Sequence, residues 1–472
     1  MKTRDRIQAL LNELGKGAFE REEAIGLALL SAISGESIFL LGLPGVGKSM
    51  IARRLKQAFT DSRSFEYLMS RFSTPDEIFG PVSISKLKDN DRYERVVDGY
   101  LPTADIIFLD EIWKSGPAIL NSLLTVLNEK IYRNGKEDIS LPLKVIISAS
   151  NELPAEGEGL EALWDRFLIR YIVKPIKDKE LFLDLLCSQP EDCVISEQLK
   201  ITPVEFGRMK KESAFVAVPE EIAEIIFSIR KTLDEQKKEV SGQVDVTKTD
   251  LIEPPYVSDR RWKKIVGIMK TSAYLNGRGQ VDYSDCLLMD HMLWDKDEQI
   301  SSVSRLVTEA IVKSLHHAGM PNVVEGIQGR NYTKPVGKPI SPDGVHYIFN
   351  VGGEDIRIAI KDYESLSMTN KSFGIMSNDG HLLLSVNPTS LTIKKTTNGL
   401  SINAFSYSLK RDSNLKSGSV KDMINDMTKD VDKMNDCLDD IVCNNLFVPS
   451  GRLRQIKKQF ENIKGKIIRK GF

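Results

Sequence analysis

A glycine-rich segment, GLPGVGKS at residues 42–49, lies between an apolar run and a helical pattern. IFLL precedes it, and KSMIARRL follows it with apolar residues at helical spacing. The segment matches G-x-x-x-x-G-K-[ST], a motif that works only between a strand and the first turn of a helix. Glycines let backbone N–H groups turn inward around a phosphate, and the helix N-terminus also attracts it. The sequence therefore predicts a phosphate-binding loop after a buried strand.

Each position of this loop has an expected role when ATP and Mg²⁺ are the ligands. Lys48 is expected to reach the β- and γ-phosphate oxygens, and the Ser49 hydroxyl to ligate Mg²⁺. The other expected nucleotide contacts are Gly42, Leu43, Pro44, Gly45, Val46, Gly47 and Met50. The alternative, a glycine-rich turn with an incidental Lys-Ser pair, is disfavoured because the flanking strand and helix are both present.

Two later apolar runs also end in polar side chains. IIFLDE, at residues 106–111, ends with Asp110, expected to hold Mg²⁺, and Glu111, expected to orient and deprotonate the attacking water. LKVIISASN ends at Asn151, whose amide can contact the γ-phosphate or the same water. Taken alone, the acidic pair could equally cap a helix and Asn151 could be a turn residue before Pro154. The upstream loop favours the catalytic interpretation.

The pattern of apolar residues changes along the chain of 472 residues, which is long enough for about three domains. Residues 1–175 alternate short apolar runs with helical patterns, as in a parallel sheet covered by helices on both faces. Residues 176–329 are helical in pattern, apart from a polar stretch at 236–255 that predicts an exposed loop. Residues 330–412 predict a small antiparallel β module. Residues 413–472 predict C-terminal helices that pair together or pack back on the helical domain.

Composition and patterning exclude several classes of protein. No apolar run approaches the length of a membrane span, and the first 17 residues lack the pattern of a secretory signal. Five cysteines without a C-x-x-C pair, and histidines without ligand spacing, offer no zinc site and fit a reducing compartment. We therefore expect a cytoplasmic protein with no membrane span and no bound transition metal.

The net charge of −1 conceals a basic C-terminus. GRLRQIKKQFENIKGKIIRKGF, the last segment, carries many Lys and Arg residues and a single Glu. Such a tail can bind nucleic acid. However, Ile456, Phe460, Ile463 and Ile467 recur at helical spacing, which favours a docked amphipathic helix with a solvated basic face. Nucleic acid is therefore not the expected partner.

The order Gly42–Ser49, Asp110-Glu111, Asn151 and Arg166 resembles that of the AAA+ ATPases. Longer strings, among them FLDEIWKSGPAILNSLLTVLNEK, SASNELP and PYVSDRRWKK, resemble the MoxR family and, within it, the RavA subgroup. The resemblance covers about residues 8–300. It implies an AAA+ P-loop core of α/β class with an all-helical lid domain, and the RavA pattern adds a small β domain before the C-terminal helices.

The same resemblance implies a function. Members of the family are ATPases that assemble as rings, usually hexamers, and remodel or activate protein clients in a chaperone-like manner. They often act beside a partner that carries a von Willebrand factor A domain. Residues 19–25 lie where the family builds its adenine pocket.

Arg166, in WDRF, matches the arginine finger of the family, which serves the ATP of the neighbouring subunit. Physically, a guanidinium stabilises the charge that grows on a transferring phosphoryl group. A structural salt bridge to Asp165 or Glu161 is the alternative role for Arg166. Arg170 is a second candidate for the finger.

Arg260, in SDRRW, matches the second sensor of the family, at the start of a lid helix that closes over the phosphates. Ser258 or Asp259 is a plausible N-cap for that helix. Arg261 takes the sensor role if the helix is rotated by one position, and a surface arginine without a function is the remaining alternative.

Two rival functions stay open besides the Mg-ATP-dependent ring motor. One is a nucleic-acid-directed AAA+ ATPase that uses the basic C-terminal tail, which would show strong, salt-sensitive binding. The other is a nucleotide-gated scaffold that barely hydrolyses ATP. Loss of turnover on removal of the Glu111 carboxylate would distinguish the motor from the scaffold.

Overall fold

The structure is a computed structural model, and its contacts divide the chain into two compact units: Met1–Val312 with Leu438–Lys458, and Lys313–Cys437 with Gln459–Phe472. Within these units the structure describes residues 2–155, 157, 159–187, 193–242, 253–318, 331–333, 346–351, 354–359, 361, 373–377, 382–386, 392–396, 399–403 and 445–458. The domain boundaries expected at 175 and 329 stay predictions.

Five parallel strands form the central sheet of the first unit, and two more strands form a separate antiparallel hairpin. The strands are β1 (Ser37–Leu41), β2 (Ser64–Leu68), β3 (Ile106–Asp110), β4 (Ile131–Asn134), β5 (Glu137–Ser140), β6 (Val145–Ser150) and β7 (Phe167–Ile172). The sheet order is β2-β3-β6-β1-β7, and β4 pairs with β5. Every residue of β1 and β6 is buried, as expected for parallel strands covered on both faces. The predicted parallel-sheet core is confirmed.

Seven helices belong to the part of the chain that contains this sheet: α1 (Thr3–Gly15), α2 (Glu22–Ser34), α3 (Lys48–Gln57), α4 (Pro75–Phe79), α5 (Ile84–Asn90), α6 (Pro117–Glu129) and α7 (Glu161–Trp164). The apolar α2 is buried along ten of its residues and contacts strands β1, β6 and β7. It ends at Gly35, whose φ of 76° suits a glycine C-cap. This helix therefore anchors one face of the sheet close to the phosphate-binding loop.

Helices make up the following region, as predicted: α8 (Lys179–Cys187), α9 (Pro203–Ala214), α10 (Glu220–Gly242), α11 (Asp259–Leu275), α12 (Tyr283–Cys286) and α13 (Ile300–Ala318). The loop predicted for 236–255 was wrong over its first part, because α10 continues to Gly242. A solvated helix needs no apolar stripe, so the polar sequence concealed it. Residues 243–252 lie outside the described part of the chain.

The second unit contains antiparallel strands, as predicted for 330–412: β8 (Asn331–Thr333), β9 (His346–Val351), β10 (Glu354–Ala359), β11 (Phe373–Ser377), β12 (Leu382–Val386), β13 (Thr392–Thr396) and β14 (Gly399–Asn403). They form a four-stranded sheet of order β12-β11-β10-β9 and a three-stranded sheet of order β13-β14-β8. The C-terminal helices expected within 413–444 and 459–472 lie outside the described residues.

Residues 445–458 pack on the helical region. Phe447, Leu453 and Ile456 are buried. Arg452 donates to Asp290 Oδ2 (2.6 Å) and to Thr308 Oγ1 (2.7 Å), so it joins the turn before α13 to α13 itself. The packing of the whole segment 413–472 on the helical region stays a prediction.

A buried cluster of charges joins the sheet to the helical region. Arg170 of β7 and Arg261 of α11 both donate to Asp295 Oδ1, at 2.5 and 3.0 Å. Both arginine side chains are 0–1% exposed, and the Arg170 guanidinium stacks on Trp164, 3.8 Å from the ring centroid. Burial and the charge of Arg261 lower the pKa of Arg170 to about 9, so its guanidinium remains charged at neutral pH. Asp295 is therefore the counter-ion of two buried cations.

Replacing Asp295→Ala should lower the free energy of unfolding by about 3–5 kcal/mol, because it leaves two buried guanidiniums without their carboxylate. Chemical denaturation of wild type and variant measures this difference. The exposed Asp184→Ala is the matched control and should change the free energy by less than about 0.5 kcal/mol. An equal effect of both changes would contradict the structural role of Asp295.

The stabilisation by Asp295 should also depend on pH. Burial alone would raise the pKa of Asp295, but Arg170 and Arg261 outweigh it and lower the pKa below its ordinary value. A carboxylate with a lowered pKa in the folded state stabilises the fold above its ordinary pKa of about 3.9 and loses that effect at lower pH. The difference in unfolding free energy between wild type and Asp295→Ala should therefore shrink as the pH falls below about 4. A difference that is constant with pH would contradict this.

Candidate nucleotide-binding site

The segment 42–49 folds as a tight loop between β1 and α3. Gly45 and Gly47 have φ values of 80° and 86°, a region that glycine enters without steric cost, and α3 begins at Lys48 directly after Gly47. A Cβ at Gly42 would lie 2.5 Å from the carbonyl oxygen of Val173, so no larger residue fits there. The loop thus presents its backbone and the N-terminus of α3 toward one concave space.

Lys48 lies against this loop. Its side chain is buried, and its ammonium donates to the carbonyl oxygens of Gly42 and Leu43. Arg21, at the N-terminus of α2, donates from Nε to the carbonyl oxygen of Val46 at 2.9 Å and so holds the loop from its other side. The tip at Leu43, Pro44 and Gly45 is exposed, and Ser49 and Met50 are half-buried in the first turn of α3.

Asp110 and Glu111 lie at the carboxyl end of β3. Glu111 is in the left-handed region (φ 53°), and its backbone N–H donates to Asp110 Oδ1 at 3.0 Å. The Lys114 ammonium lies 3.2 Å from Glu111 Oε2, but this oxygen is buried and accepts no hydrogen bond of acceptable geometry. A left-handed non-glycine residue with an unsatisfied carboxylate oxygen costs about 1–3 kcal/mol for each feature. Such strain is typical of a functional carboxylate.

Asn151 directly follows β6, the strand between β1 and β3. Its side chain is exposed. The Gly42 N–H donates to the carbonyl oxygen of Ser150 at 3.0 Å, which ties the start of the loop to the residue before Asn151. The loop, the acidic pair and Asn151 therefore lie at the same edge of the sheet, as their places at the strand ends predicted.

Arg166 lies at the other edge. It precedes β7, whose first residue, Phe167, pairs with Ser37 at the start of β1, whereas the loop follows Leu41 at the end of β1. At about 3.3 Å per residue, the length of β1 separates the two edges by roughly 13 Å. The structure does not bring Arg166 to the phosphate-binding loop of its own chain.

Arg260 lies beside Arg166. The Arg166 Nη1 and the Arg260 Nη2 atoms both donate to Asp165 Oδ2, each at 3.1 Å. Arg260 also donates to Asn128 Oδ1 at 3.3 Å. The salt bridge of Arg166 with Asp165, considered above as its alternative role, is thus present. The two arginines expected at the nucleotide lie together, away from the loop.

The alternative arginines are buried in the Asp295 cluster. Arg170 and Arg261 donate to Asp295 and to the carbonyl oxygen of Trp294 and are closed to solvent, so neither is free to meet a nucleotide. Ser258 is the N-cap of α11, since its hydroxyl accepts from the Arg261 N–H. That cap fixes where the helix begins, and Arg260, 43% exposed, lies on its accessible side.

A cavity of about 970 Å³ lies next to the loop. Residues 20–23, from the segment 19–25 expected to build the adenine pocket, line it together with Gly26, Tyr171 and His291. Glu23 accepts from the Tyr171 hydroxyl at 2.9 Å and lies 3.2 Å from His291 Nε2. Burial alone would raise the pKa of Glu23, but these partners lower it. Arg21 connects the cavity to the loop.

Sequence reasoning missed two side chains of the site. Arg21 carries no motif, and its bond to Val46 depends on how α2 packs against the loop. Asp165 was considered only as a partner of Arg166, because nothing in the sequence shows that Arg260 reaches the same oxygen. Among the described residues, no group of three or more His, Cys, Asp or Glu side chains could hold a metal ion, and no helix could cross a membrane.

Comparisons with known proteins agree with this geometry. Residues 5–202 match the family described as the MoxR domain in MoxR-vWA-beta-propeller ternary systems, and residues 221–307 match an AAA lid domain. Two uncharacterized proteins of Methanocaldococcus jannaschii are 38% and 37% identical over 302 and 313 residues, which are 64% and 66% of this chain and 73% and 77% of theirs.

A solved structure from Cytophaga hutchinsonii, provisionally assigned as an ATPase, superposes with a TM-score of 0.51 at 19% identity, over 66% of this chain and 94% of that one. This likeness concerns the fold alone. The phosphate-binding loop, the acidic pair at the end of β3, the order of strands in the sheet and the two domain matches place the chain in one family. The chain belongs to the MoxR-type AAA+ ATPases.

Proposed function

We propose that this protein binds Mg-ATP at residues 42–49 and hydrolyses it to ADP and phosphate, with a catalytic arginine supplied by a neighbouring copy of the chain. The observation that carries the proposal is Glu111 at the same sheet edge as the loop, in a left-handed conformation and with its Oε2 atom buried. Beside its ion pair with Lys114, that oxygen accepts no hydrogen bond from the described residues, so it can accept one from a water, as a general base requires.

The loop fits the triphosphate. Gly45 and Gly47 take the left-handed conformations that the loop needs, α3 begins directly after Gly47, and Lys48 can exchange the loop carbonyls for phosphate oxygens. Ser49, in the first turn of α3, and Asp110, at the end of β3, would hold Mg²⁺, because a hydroxyl and a carboxylate at the same edge of the sheet supply the oxygen ligands it prefers. When bound, Mg²⁺ neutralises charge on the β- and γ-phosphates.

Glu111 and Asn151 would act on the attacking water and on the γ-phosphate. The carboxylate orients the water and takes its proton, while the Asn151 amide, exposed beside it, donates to the γ-phosphate or positions the same water. The Lys114 ammonium, 3.2 Å from Glu111 Oε2, pairs with that carboxylate. The adenosine end of the nucleotide would enter the cavity beside Arg21 and Tyr171.

Arg166 and Arg260 would act on the nucleotide of a neighbouring chain. Both lie at the sheet edge opposite the loop, about 13 Å away by strand length, so they do not serve their own chain's phosphates. A head-to-tail arrangement, in which one chain's arginine edge faces the next chain's loop, closes into a ring when the rotation closes. We propose a ring of this kind, a hexamer by resemblance to the family.

A cytoplasmic, chaperone-like motor of RavA-like type that acts on protein clients is the fuller proposal. Its support is the family match, whose description names MoxR domains in systems with a von Willebrand factor A partner. The nucleic-acid alternative has less support, because the first part of the basic tail is engaged in packing: Arg452 pairs with Asp290, and Leu453 and Ile456 are buried.

Glu111→Gln should reduce ATP hydrolysis by about 10²- to 10⁴-fold, the usual contribution of a general base, and should leave ATP binding intact. Steady-state turnover and equilibrium binding of ATP measure the two effects. Glu298→Gln, a change at an exposed glutamate of the lid, is the control and should leave both unchanged. Undiminished turnover in Glu111→Gln would remove the proposed base and favour the scaffold alternative.

Mixing Arg166→Ala chains with Lys48→Ala chains should restore ATP hydrolysis, although each variant alone is inactive. At an interface between the two, an intact Lys48 site meets an intact Arg166 edge. The arginine is expected to contribute about 10³-fold or more to the rate. The measurement is turnover against mixing ratio, with Arg305→Ala, an exposed arginine paired within α13, in place of Arg166→Ala as the control. Full activity of Arg166→Ala alone would show that the arginine is structural.

A further inference from the structure

Two adjacent arginines of α11 each share a carboxylate with an arginine from the part of the chain that contains the parallel sheet, called the sheet domain below. Arg261 shares Asp295 Oδ1 with Arg170, and Arg260 shares Asp165 Oδ2 with Arg166. In each set, one arginine comes from the sheet domain and one from the helix. The first turn of α11 is thus attached to the sheet domain by two carboxylate bridges side by side.

The two bridges differ in exposure. In the Asp295 bridge both arginine side chains are at most 1% exposed, so this bridge serves only the packing of α11 on the sheet domain. In the Asp165 bridge, Arg166, Asp165 and Arg260 are 17%, 25% and 43% exposed. The outer bridge therefore meets the surroundings, and a large anion can reach its guanidinium groups.

The Asp165 carboxylate makes this arrangement of cations possible. Two guanidinium groups that bond to one oxygen lie within a few ångströms of each other and repel, and Asp165 is the anion between them. Only one N–H of Arg166 is used, and its Nε atom is buried without a hydrogen-bond partner. Arg260, 43% exposed, is the accessible member of the pair, and it uses only two of its five N–H donors in its bonds to Asn128 and Asp165, so it retains donors for a phosphate.

We propose that Asp165 is a positioning residue that holds Arg166 and Arg260 together as one two-arginine unit for the nucleotide of the neighbouring chain. This inference rests on the proposed function, in which Arg166 acts on that nucleotide. Asp165 does not touch the substrate. Its carboxylate sets the direction of both guanidiniums. Because Arg260 belongs to α11 and Arg166 to the sheet domain, the position of each arginine then depends on the other.

Asp165→Asn and Asp165→Ala should therefore lower kcat by about 10- to 100-fold, the scale of a misplaced catalytic group. KM should change by less than about twofold, because the binding loop belongs to the other edge of the sheet. Asp165→Asn keeps the size of the side chain and guards against misfolding of the alanine variant. Asp138→Asn, which removes the carboxylate of an exposed pair with Arg133, is the control and should retain wild-type kcat.

Mixing Asp165→Ala chains with Lys48→Ala chains shows whether the loss of activity concerns the chain's own nucleotide or that of its neighbour. An Asp165→Ala chain retains its own loop, and a Lys48→Ala neighbour supplies an intact two-arginine edge, so turnover should rise well above that of either variant alone. A general loss of structure in Asp165→Ala would not be rescued. Absence of rescue, while Arg166→Ala is rescued by the same partner, would overturn the positioning role but leave the proposed function standing. Absence of rescue for both would instead contradict the shared site.

A double-mutant cycle tests whether Asp165 acts through Arg260. If it does, Asp165→Ala combined with Arg260→Ala should have a kcat close to that of the worse single variant. If the fold-loss in kcat of the double variant equals the product of the losses of the two single variants, the residues act independently, and this result would overturn the inference. Thermal unfolding of each variant, measured alongside, distinguishes a catalytic loss from an unfolded sample.

Discussion

The buried bridge of Asp295 with Arg170 and Arg261 determines how the lid meets the sheet. Burying two guanidiniums is favourable only when a carboxylate and further acceptors are fixed around them, and Asp295 and the Trp294 carbonyl meet that need. The requirement is strict in distance and direction, so it sets the rotation of α11 at its first turn. Arg260, one residue earlier, is consequently turned outward toward Asp165.

The parallel sheet then separates the chemistry into two edges. The loop, Glu111 and Asn151 lie at the carboxyl ends of the parallel strands. Arg166 lies at their amino ends, and the packing of α11 places Arg260 beside it. A packed aromatic group spans the space between them: Trp113, two residues after Glu111, contacts Trp164 and Phe167, which flank the Asp165-Arg166 step. These rings pack closely between the two edges and hold them at a fixed separation.

The parts that could be predicted from the sequence are those fixed by local chain direction. The loop, Asp110, Glu111 and Asn151 each follow a buried strand, and parallel strands deliver their ends to one edge. The choice between Arg260 and Arg261 depended on which one tertiary packing buries, which no local pattern reveals. The same holds for Arg21 and for the shared role of Asp165. The continuation of α10 was missed because a solvated helix has no apolar stripe.

The return segment 445–458 bears on how the basic C-terminus should be understood. Asn445 bonds to Ser284 and the buried Asp285, and Arg452 bonds to Asp290, one residue before the His291 that contacts Glu23 of α2. These contacts connect the segment, the lid and the helix whose Arg21 holds the loop. Truncation at residue 452 would therefore disturb the nucleotide-binding unit as well as remove positive charge. Charge changes at exposed positions such as Arg454 and Lys458, away from the buried Leu453 and Ile456, separate the charge of the tail from the packing of this segment.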